Sequence, residues 1–151
     1  MKINRLAEAY WLPGLIFCLL ALAGQWAVAG SVDEPAHKLV IQVSTDDQKT
    51  QAIALNNAVN LQKMYGLDNI AIEIVAYGPG LSLLTVDSSQ APRVASLSFQ
   101  DVTFSACGNT MEKIKKDTGK LPVLIEGVGI VPAGVSRILE LQELGYAYIR
   151  P

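Results

Sequence analysis

The stretch Val102-Thr103-Phe104-Ser105-Ala106-Cys107-Gly108-Asn109-Thr110-Met111-Glu112 passes from a strand pattern to a helix pattern around one cysteine. Its first five residues form a short run with β-branched and apolar side chains, which predicts a buried strand. Asn109 with Glu112 three residues later predicts a helix start capped by the asparagine, and Gly119 ends this helix. Cys107 is therefore predicted to lie where a strand ends and a helix begins.

The rest of the chain repeats this order of strand followed by helix. Strands that alternate with helices at this spacing indicate a mostly parallel sheet covered on both faces. Because parallel crossovers are right-handed, few topologies remain. The sequence thus predicts an α/β, flavodoxin-like three-layer fold with a mostly parallel five-stranded sheet. The predicted strands are Lys38–Val43, Ile70–Ala76, Val102–Ala106, a segment within 121–131 and Tyr146–Ile149, and the predicted helices lie at about 46–65, within 88–100, at 112–117 and at about 132–144.

Two details of the helices are also predicted. Thr45 followed by Gln48 matches a capping box at the start of the first helix. In the last helix, Val135, Ile138 and Leu139 are predicted to form the buried face. The capping box fixes where the first helix would begin, and the apolar positions of the last helix fix which side of it would pack on the sheet.

The N-terminal residues have the pattern of a secretory signal peptide. Lys2 and Arg5 form a basic region, the apolar run Trp11–Leu22 follows, and Ala27-Val28-Ala29 offers small residues for cleavage before Gly30. A cleaved signal implies export to the periplasm, while an uncleaved anchor stays open as an alternative. The predicted organisation is a signal peptide at 1–29, a flexible lead-in at 30–37 and one domain at 38–151.

Charge and motifs exclude several classes of function. The formal net charge of the 151-residue chain is −2, and removing residues 1–29 makes it one unit more negative. Nucleic-acid or anionic-membrane binding is therefore not predicted. The sequence has no P-loop and no complete dinucleotide fingerprint. His37 is the single histidine and has no cysteine at metal-ligand spacing, which argues against a metal site and against a Cys-His hydrolase. We predict no metal and no cofactor.

Cys107 is the first candidate for chemistry. Once the signal peptide and its Cys18 are removed, Cys107 has no partner for an internal disulfide. Ligand sites of open parallel sheets lie at the carboxyl ends of the strands, and a helix N-terminus lowers the pKa of a nearby thiol. Gly108 leaves the sulfur unshielded, and Asn109 begins the helix. The glycines of Gly78-Pro79-Gly80 follow another strand and are predicted to shape the same pocket.

A second interpretation of Cys107 stays open. Free cysteine is among the most buried residue types in proteins, so Cys107 is also compatible with a packed structural role at the end of a strand. The protein would then be a non-catalytic binding or assembly module. The sequence leaves open whether the protein is an enzyme, and the exposure of Cys107 separates the two interpretations.

Four parts of the domain together resemble one known family. They are Leu55–Leu61, Val75–Gly80, Phe104–Met111, and Pro132–Val135 with Gly145–Tyr148. Through these stretches, residues 38–151 resemble the secreted branch of the DsrE/DsrF-like family. The resemblance implies a flavodoxin-like fold and a homo-oligomer, commonly a trimer or a hexamer. It also implies sulfur oxidation or sulfur relay, with Cys107 carrying a persulfide or a mixed disulfide between a donor and an acceptor protein.

Overall fold

The computed structural model describes residues 34–151, so the predicted signal peptide and the first part of the predicted lead-in lie outside the described residues. In residues 34–151, no helix is both long enough and apolar enough to cross a bilayer. The strands are β1 (His37–Val43), β2 (Ile70–Ala76), β3 (Val102–Cys107), β4 (Gly129–Val131) and β5 (Ala147–Ile149), and the helices are α1 (Gln48–Tyr65), α2 (Ala91–Ser98), α3 (Gly108–Thr118) and α4 (Gly134–Glu143), with 3-10 segments at Leu67–Asn69 and Gly78–Leu84.

The strands form one sheet in the order β4-β3-β2-β1-β5, and every neighbouring pair is parallel. This confirms the predicted α/β fold with a parallel five-stranded sheet. β1 to β4 advance in one direction across the sheet, whereas the chain returns from β4 to place β5 on the far side of β1. Because parallel crossovers are right-handed, the reversal places α4 on the face opposite to α1, α2 and α3.

The main hydrophobic core lies between the sheet and α1, α2 and α3. Alternate strand residues enter it, and Ile41, Ile74 and Phe104 are fully buried there. Ile41 pairs with Ile74, and Ile74 pairs with Phe104, so the three side chains form one row across the sheet. Leu55 of α1 and Val94 of α2 cover this face. The β-branched and apolar residues that predicted the strands are thus the ones that fill the core.

The second face of the sheet is covered, within the described chain, by α4 alone. Val40 of β1 and Val75 of β2 meet Ile138 and Leu141 of α4 in a small apolar cluster. Because this cluster is much smaller than the core on the first face, few apolar contacts hold α4 against the sheet.

The predicted buried face of α4 is wrong at two of its three positions. Ile138 is buried, but Val135 and Leu139 are 64% and 58% exposed. The buried stripe runs through Ile138 and Leu141, which places Val135 and Leu139 on the neighbouring, outward stripe of the helix. The sequence carries two adjacent apolar stripes, and periodicity alone does not say which of them packs on the sheet.

The predicted capping box of α1 is also wrong. α1 begins at Gln48, and Asp47 is its N-cap, since the Asp47 carboxylate accepts a hydrogen bond of 2.7 Å from the Thr50 N–H. Thr45 accepts instead from the Asp47 N–H at 3.2 Å. Aspartate is as good a capping residue as threonine. Asp47 is the residue that reaches the free N–H groups, so α1 begins at Gln48 and not directly after Thr45.

Candidate functional site

The carboxyl ends of the strands bring the two predicted site segments, 78–80 and 107–109, together with the start of α4. Val43 pairs with Ala76, and Ala76 pairs with Ala106, so β1, β2 and β3 end at one level of the sheet. The segment Gly78–Leu84 follows β2, α3 begins directly after β3, and α4 begins shortly after β4. The candidate site is therefore built from one turn and two helix starts at the open edge of a parallel sheet.

Cys107 is the N-cap residue of α3, which begins at Gly108. The predicted cap at Asn109 is wrong, because the helix starts before the Asn109–Glu112 pattern. Cys107 is also the last residue of β3, so the strand passes into the helix without a connecting loop. This passage places the sulfur at the positive end of the α3 dipole.

The Cys107 side chain is buried, with 5% of the residue exposed. Burial raises the pKa of the Cys107 thiol. The Thr110 hydroxyl and the backbone N–H groups of Gly134, Thr110 and Asn109 lower it by a larger amount in total, so the pKa lies below its ordinary value. Gly134 is the first residue of α4, so the first turns of two helices act on one sulfur. Within the described chain, Cys107 makes no side-chain cap hydrogen bond to α3, and the N–H groups therefore act as dipoles near the sulfur.

Thr110 connects Cys107 to the turn after β2. Its Oγ1 accepts a hydrogen bond of 3.0 Å from the backbone N–H of Gly78. The hydroxyl hydrogen is not used in this bond, and the Thr110 hydroxyl lowers the pKa of the Cys107 thiol. Sequence reasoning missed Thr110. The signal was present, because assigning Cys107 as the N-cap places Thr110 at the third helical position, where capping contacts are made.

Gly108 and Asn109 hold the start of α3 against the loop between β4 and α4. A side-chain carbon on Gly108 would lie 3.2 Å from the Val131 carbonyl oxygen. The Asn109 N–H donates to the Pro132 carbonyl at 3.2 Å, while the Asn109 side chain is exposed. Both residues lie beside Cys107, and their contacts to the loop are made by the backbone.

The two glycines of the turn after β2 occupy different surroundings. Gly78 has a φ of 55°, in the left-handed region that favours glycine, and its N–H is the group bound to Thr110. Gly80 is buried, and a side-chain carbon there would lie 2.5 Å from the Val43 carbonyl carbon and 2.8 Å from the Ser44 nitrogen. Gly78 thus belongs to the surroundings of Cys107, whereas Gly80 packs the turn against the end of β1.

A groove of about 410 Å³ lies beside Thr110, between the 3-10 segment after β2 and α3. Lys113 and Asp117 on its wall form an ion pair of 2.8 Å. Cys107 does not line this groove. The hydrogen bond between Gly78 and Thr110 lies between the groove and Cys107. The groove is lined by Gly78, Pro79, Ser82, Thr85, Thr110, Lys113, Ile114 and Asp117.

A buried ion pair lies on the same face of the sheet as Cys107, and sequence reasoning missed it. Glu73 of β2 is 4% exposed, and its two carboxylate oxygens accept from Nε and Nη2 of Arg137 at 2.8 Å each. Ser105, two residues before Cys107 on β3, donates its hydroxyl to the same carboxylate at 2.6 Å. A charge inside the apolar strand Ile70–Ala76 was the available signal, because a buried carboxylate requires a partner.

The chemistry that this arrangement can support is that of a thiol. Cys107 is a free cysteine, and the surrounding N–H and O–H donors stabilise negative charge on its sulfur. Across residues 34–151, no three side chains of histidine, cysteine, aspartate or glutamate are grouped to hold a metal ion. A thiol with such groups around it can act as a nucleophile or as a leaving group.

Comparisons with known proteins agree with this fold. The sequence model of the DsrE/DsrF-like family matches residues 37–151. MTH1491, a protein of unknown function from Methanobacterium thermoautotrophicum, is 36% identical to the chain with a TM-score of 0.68. The ychN protein of E. coli is 15% identical with a TM-score of 0.61, and it shares the fold. Each of the two comparisons covers 76% of this chain and 99% of the other. No curated protein matches the chain.

Proposed function

Since the chain belongs to the DsrE/DsrF-like family, we propose that it is a sulfur-handling or thiol-redox protein in which Cys107 carries a persulfide or a mixed disulfide. The predicted signal peptide at 1–29 supports a periplasmic location, where the sulfur donor and acceptor would also act. The family resemblance supports sulfur relay as the chemistry of the site.

The observation that carries this proposal is the set of donors around one sulfur. The Thr110 hydroxyl and backbone N–H groups of two helix starts lower the pKa of Cys107 despite its burial. A thiolate is the nucleophile in thiol chemistry, so a lowered pKa increases the reactive fraction at neutral pH.

In the proposed step, the Cys107 thiolate attacks the terminal sulfur of a donor hydropersulfide, R–S–SH. The S–S bond of the donor breaks, a new S–S bond forms on Cys107, and the donor leaves as the thiolate R–S⁻. Attack by an acceptor thiolate on the terminal sulfur then transfers it and returns Cys107 to its thiolate form. Electrons balance in both steps without an external oxidant. The N–H dipoles stabilise the negative sulfur both as attacking and as leaving group.

Polysulfide treatment of the full chain is expected to add one or more sulfur atoms to Cys107. Intact-mass spectrometry measures the gain, and peptide mapping separates Cys107 from Cys18. The Cys107→Ser variant is the matched control and should show no gain in the corresponding peptide. The proposal fails if Cys107 stays unmodified under conditions that fully modify a small model thiol.

A second candidate function rests on the burial of the thiol. With 5% of Cys107 exposed, the residue also fits a packed structural role in a non-catalytic binding or assembly module. Titration of native protein with a small thiol reagent distinguishes the two functions. Reaction of Cys107 in the folded protein supports sulfur carriage, whereas reaction only after denaturation supports the binding module.

We also propose that the chain forms a homo-oligomer, a trimer or a hexamer, through the outward stripe of α4. Val135 and Leu139 are exposed there, on the face of the sheet that α4 covers alone within the described chain. Tyr148 of β5 lies on the same face, because it pairs with Val40, and it is 40% exposed. A second copy of this chain, which presents the same apolar stripe, is the partner that we propose.

Replacing this stripe with charges is expected to reduce the assembly to monomers. The double variant Val135→Glu with Leu139→Lys places a favourable ion pair along α4, so the helix itself is preserved. Size-exclusion chromatography with light scattering measures the mass. Phe99→Glu, a change at an exposed apolar residue at the end of α2, is the control and should keep the assembly. A monomeric wild-type chain, or an assembly that survives the double change, would contradict the proposal.

A further inference from the structure

The start of α4 is held in place by few contacts of its own. Its N-cap residue, Ala133, has no side chain that could bind the free N–H groups. Its buried apolar contacts come from Ile138 and Leu141, further along the helix. The loop that leads into Gly134 is bound to the residue two positions after Cys107, since the Asn109 N–H donates to the Pro132 carbonyl, and the Gly134 N–H is the group of α4 that lowers the pKa of Cys107.

The ion pair between Arg137 and Glu73 fixes this end of α4. Arg137 follows Gly134 by three residues, which is about one turn of the helix. Both oxygens of the Glu73 carboxylate are engaged by the guanidinium, and Ser105 of β3 holds one of these oxygens. A two-point fork on a buried, immobilised carboxylate leaves little freedom for α4 to slide or rotate.

Tyr77 also restricts the same helix start. A side-chain carbon on Gly134 would lie 2.9 Å from the Tyr77 ring and 3.1 Å from the Tyr77 Cβ. The backbone at Gly134 therefore lies directly against the residue that follows β2. The first turn of α4 thus contacts Tyr77 at Gly134 and is joined to β2 by the ion pair at Arg137.

We propose that Arg137 and Glu73 are positioning residues, and that their ion pair holds the N–H of Gly134 against the sulfur of Cys107. The inference rests on the proposed function, because it concerns the reactivity of that same sulfur. Neither side chain needs to touch the sulfur. The pair acts through the placement of α4.

The charged groups around Cys107 allow this role to be separated from a direct effect of charge. The charged and titratable residues on the same face of the sheet as Cys107 are Lys38 of β1, Glu73 of β2, Tyr77 after β2, and Arg137 and Glu140 of α4. The charged residues of α3 lie on its exposed surface. The groups that shift the pKa of Cys107 are all uncharged. Loss of the negative charge of Glu73 would by itself lower the pKa of a nearby thiol. Loss of the Gly134 contact would raise it, so the two effects have opposite signs.

Glu73→Gln is therefore the decisive variant. Glutamine keeps the shape but loses the bidentate ion pair, and we expect the pKa of Cys107 to rise and alkylation at neutral pH to slow roughly two- to fivefold. The measurement is the rate of iodoacetamide labelling of the full chain against pH, with peptide mapping to Cys107. Lys115→Gln breaks an exposed ion pair with Glu112 on α3 and is the control, for which the profile should not change.

Two further variants keep the proposal testable if Glu73→Gln does not fold. Arg137→Lys retains the charge but loses the fork, and Ser105→Ala frees the carboxylate on one side; both should shift the profile in the same direction by smaller amounts. An unchanged or lowered pKa of Cys107 in folded variants, or an equal shift in Lys115→Gln, would overturn the inference. Sulfur loading of the wild-type chain is measured separately. Its absence would sink the proposed function without deciding how α4 is positioned.

Discussion

Replacing Gly80 with alanine is expected to lower the free energy of unfolding by about 3 kcal/mol or more. The new Cβ would lie 2.5 Å from the Val43 carbonyl carbon and 2.8 Å from the Ser44 nitrogen. Both are backbone atoms at the end of β1, so no side-chain rotation relieves the contact. The turn after β2 would have to move away from β1, and that turn carries Gly78, whose N–H binds Thr110.

Thermal unfolding followed by circular dichroism measures this effect, with an expected fall in midpoint of roughly 10 °C. Gly119→Ala is the matched control. Gly119 has a φ of 81°, and no atom lies within 4 Å of the place that an alanine Cβ would take, so alanine there adds backbone strain without a clash. We expect it to cost about 1 kcal/mol. Equal destabilisation by the two variants would show that the contact with β1 is not what requires glycine at Gly80.

The sheet was predictable because its strands carry a local signal. In Ile70–Ala76 nearly every residue is apolar, as in a strand buried on both faces, and the predicted bounds are those of β2. The position of Cys107 followed from the same logic, since a strand that runs into a helix has its carboxyl end at the edge of the sheet. These features depend on neighbours in sequence, and the sequence describes them well.

Features that depend on distant parts of the chain were not predictable in the same way. Glu73 and Arg137 are 64 residues apart, and they meet because α4 crosses to the second face when the chain returns to β5. The order of the strands decides that crossing, and no local pattern contains it. The outward position of Val135 and Leu139 has the same origin, because the packed stripe of α4 depends on which strands it crosses.

The cap of α3 shows a limit of a different kind. Cysteine is not a typical N-cap residue, so the Asn109–Glu112 pattern predicted a later start of the helix. The direct passage from β3 into α3 instead makes Cys107 the N-cap. That shift places Thr110 at the third helical position after the cap, and its hydroxyl lowers the pKa of Cys107. The candidate nucleophile was therefore found from the sequence, whereas the groups that tune it were found from the fold.

Replacing Thr110 with valine is expected to slow labelling of Cys107 at neutral pH by roughly three- to tenfold. Valine keeps the shape of the side chain but removes the hydroxyl that acts on the sulfur and that accepts from the Gly78 N–H. The pKa of Cys107 should rise toward its ordinary value, because burial, which raises it, is opposed by fewer donors. The measurement is the rate of iodoacetamide labelling against pH. Thr118→Val removes a hydroxyl at the far end of α3, where it binds the Ile114 carbonyl, and is expected to leave the profile unchanged.

The same variant should also change how stability depends on pH. A thiol whose folded-state pKa lies below its unfolded-state pKa stabilises the fold when ionised. This contribution is fully present above the unfolded-state pKa and is lost as the pH falls through the folded-state pKa. Thr110→Val brings the two pKa values together, so the gain in stability on raising the pH through this window should shrink, as it should in Cys107→Ser. A wild-type chain whose stability matches that of Cys107→Ser at every pH would show that the donors around the sulfur do not favour the thiolate.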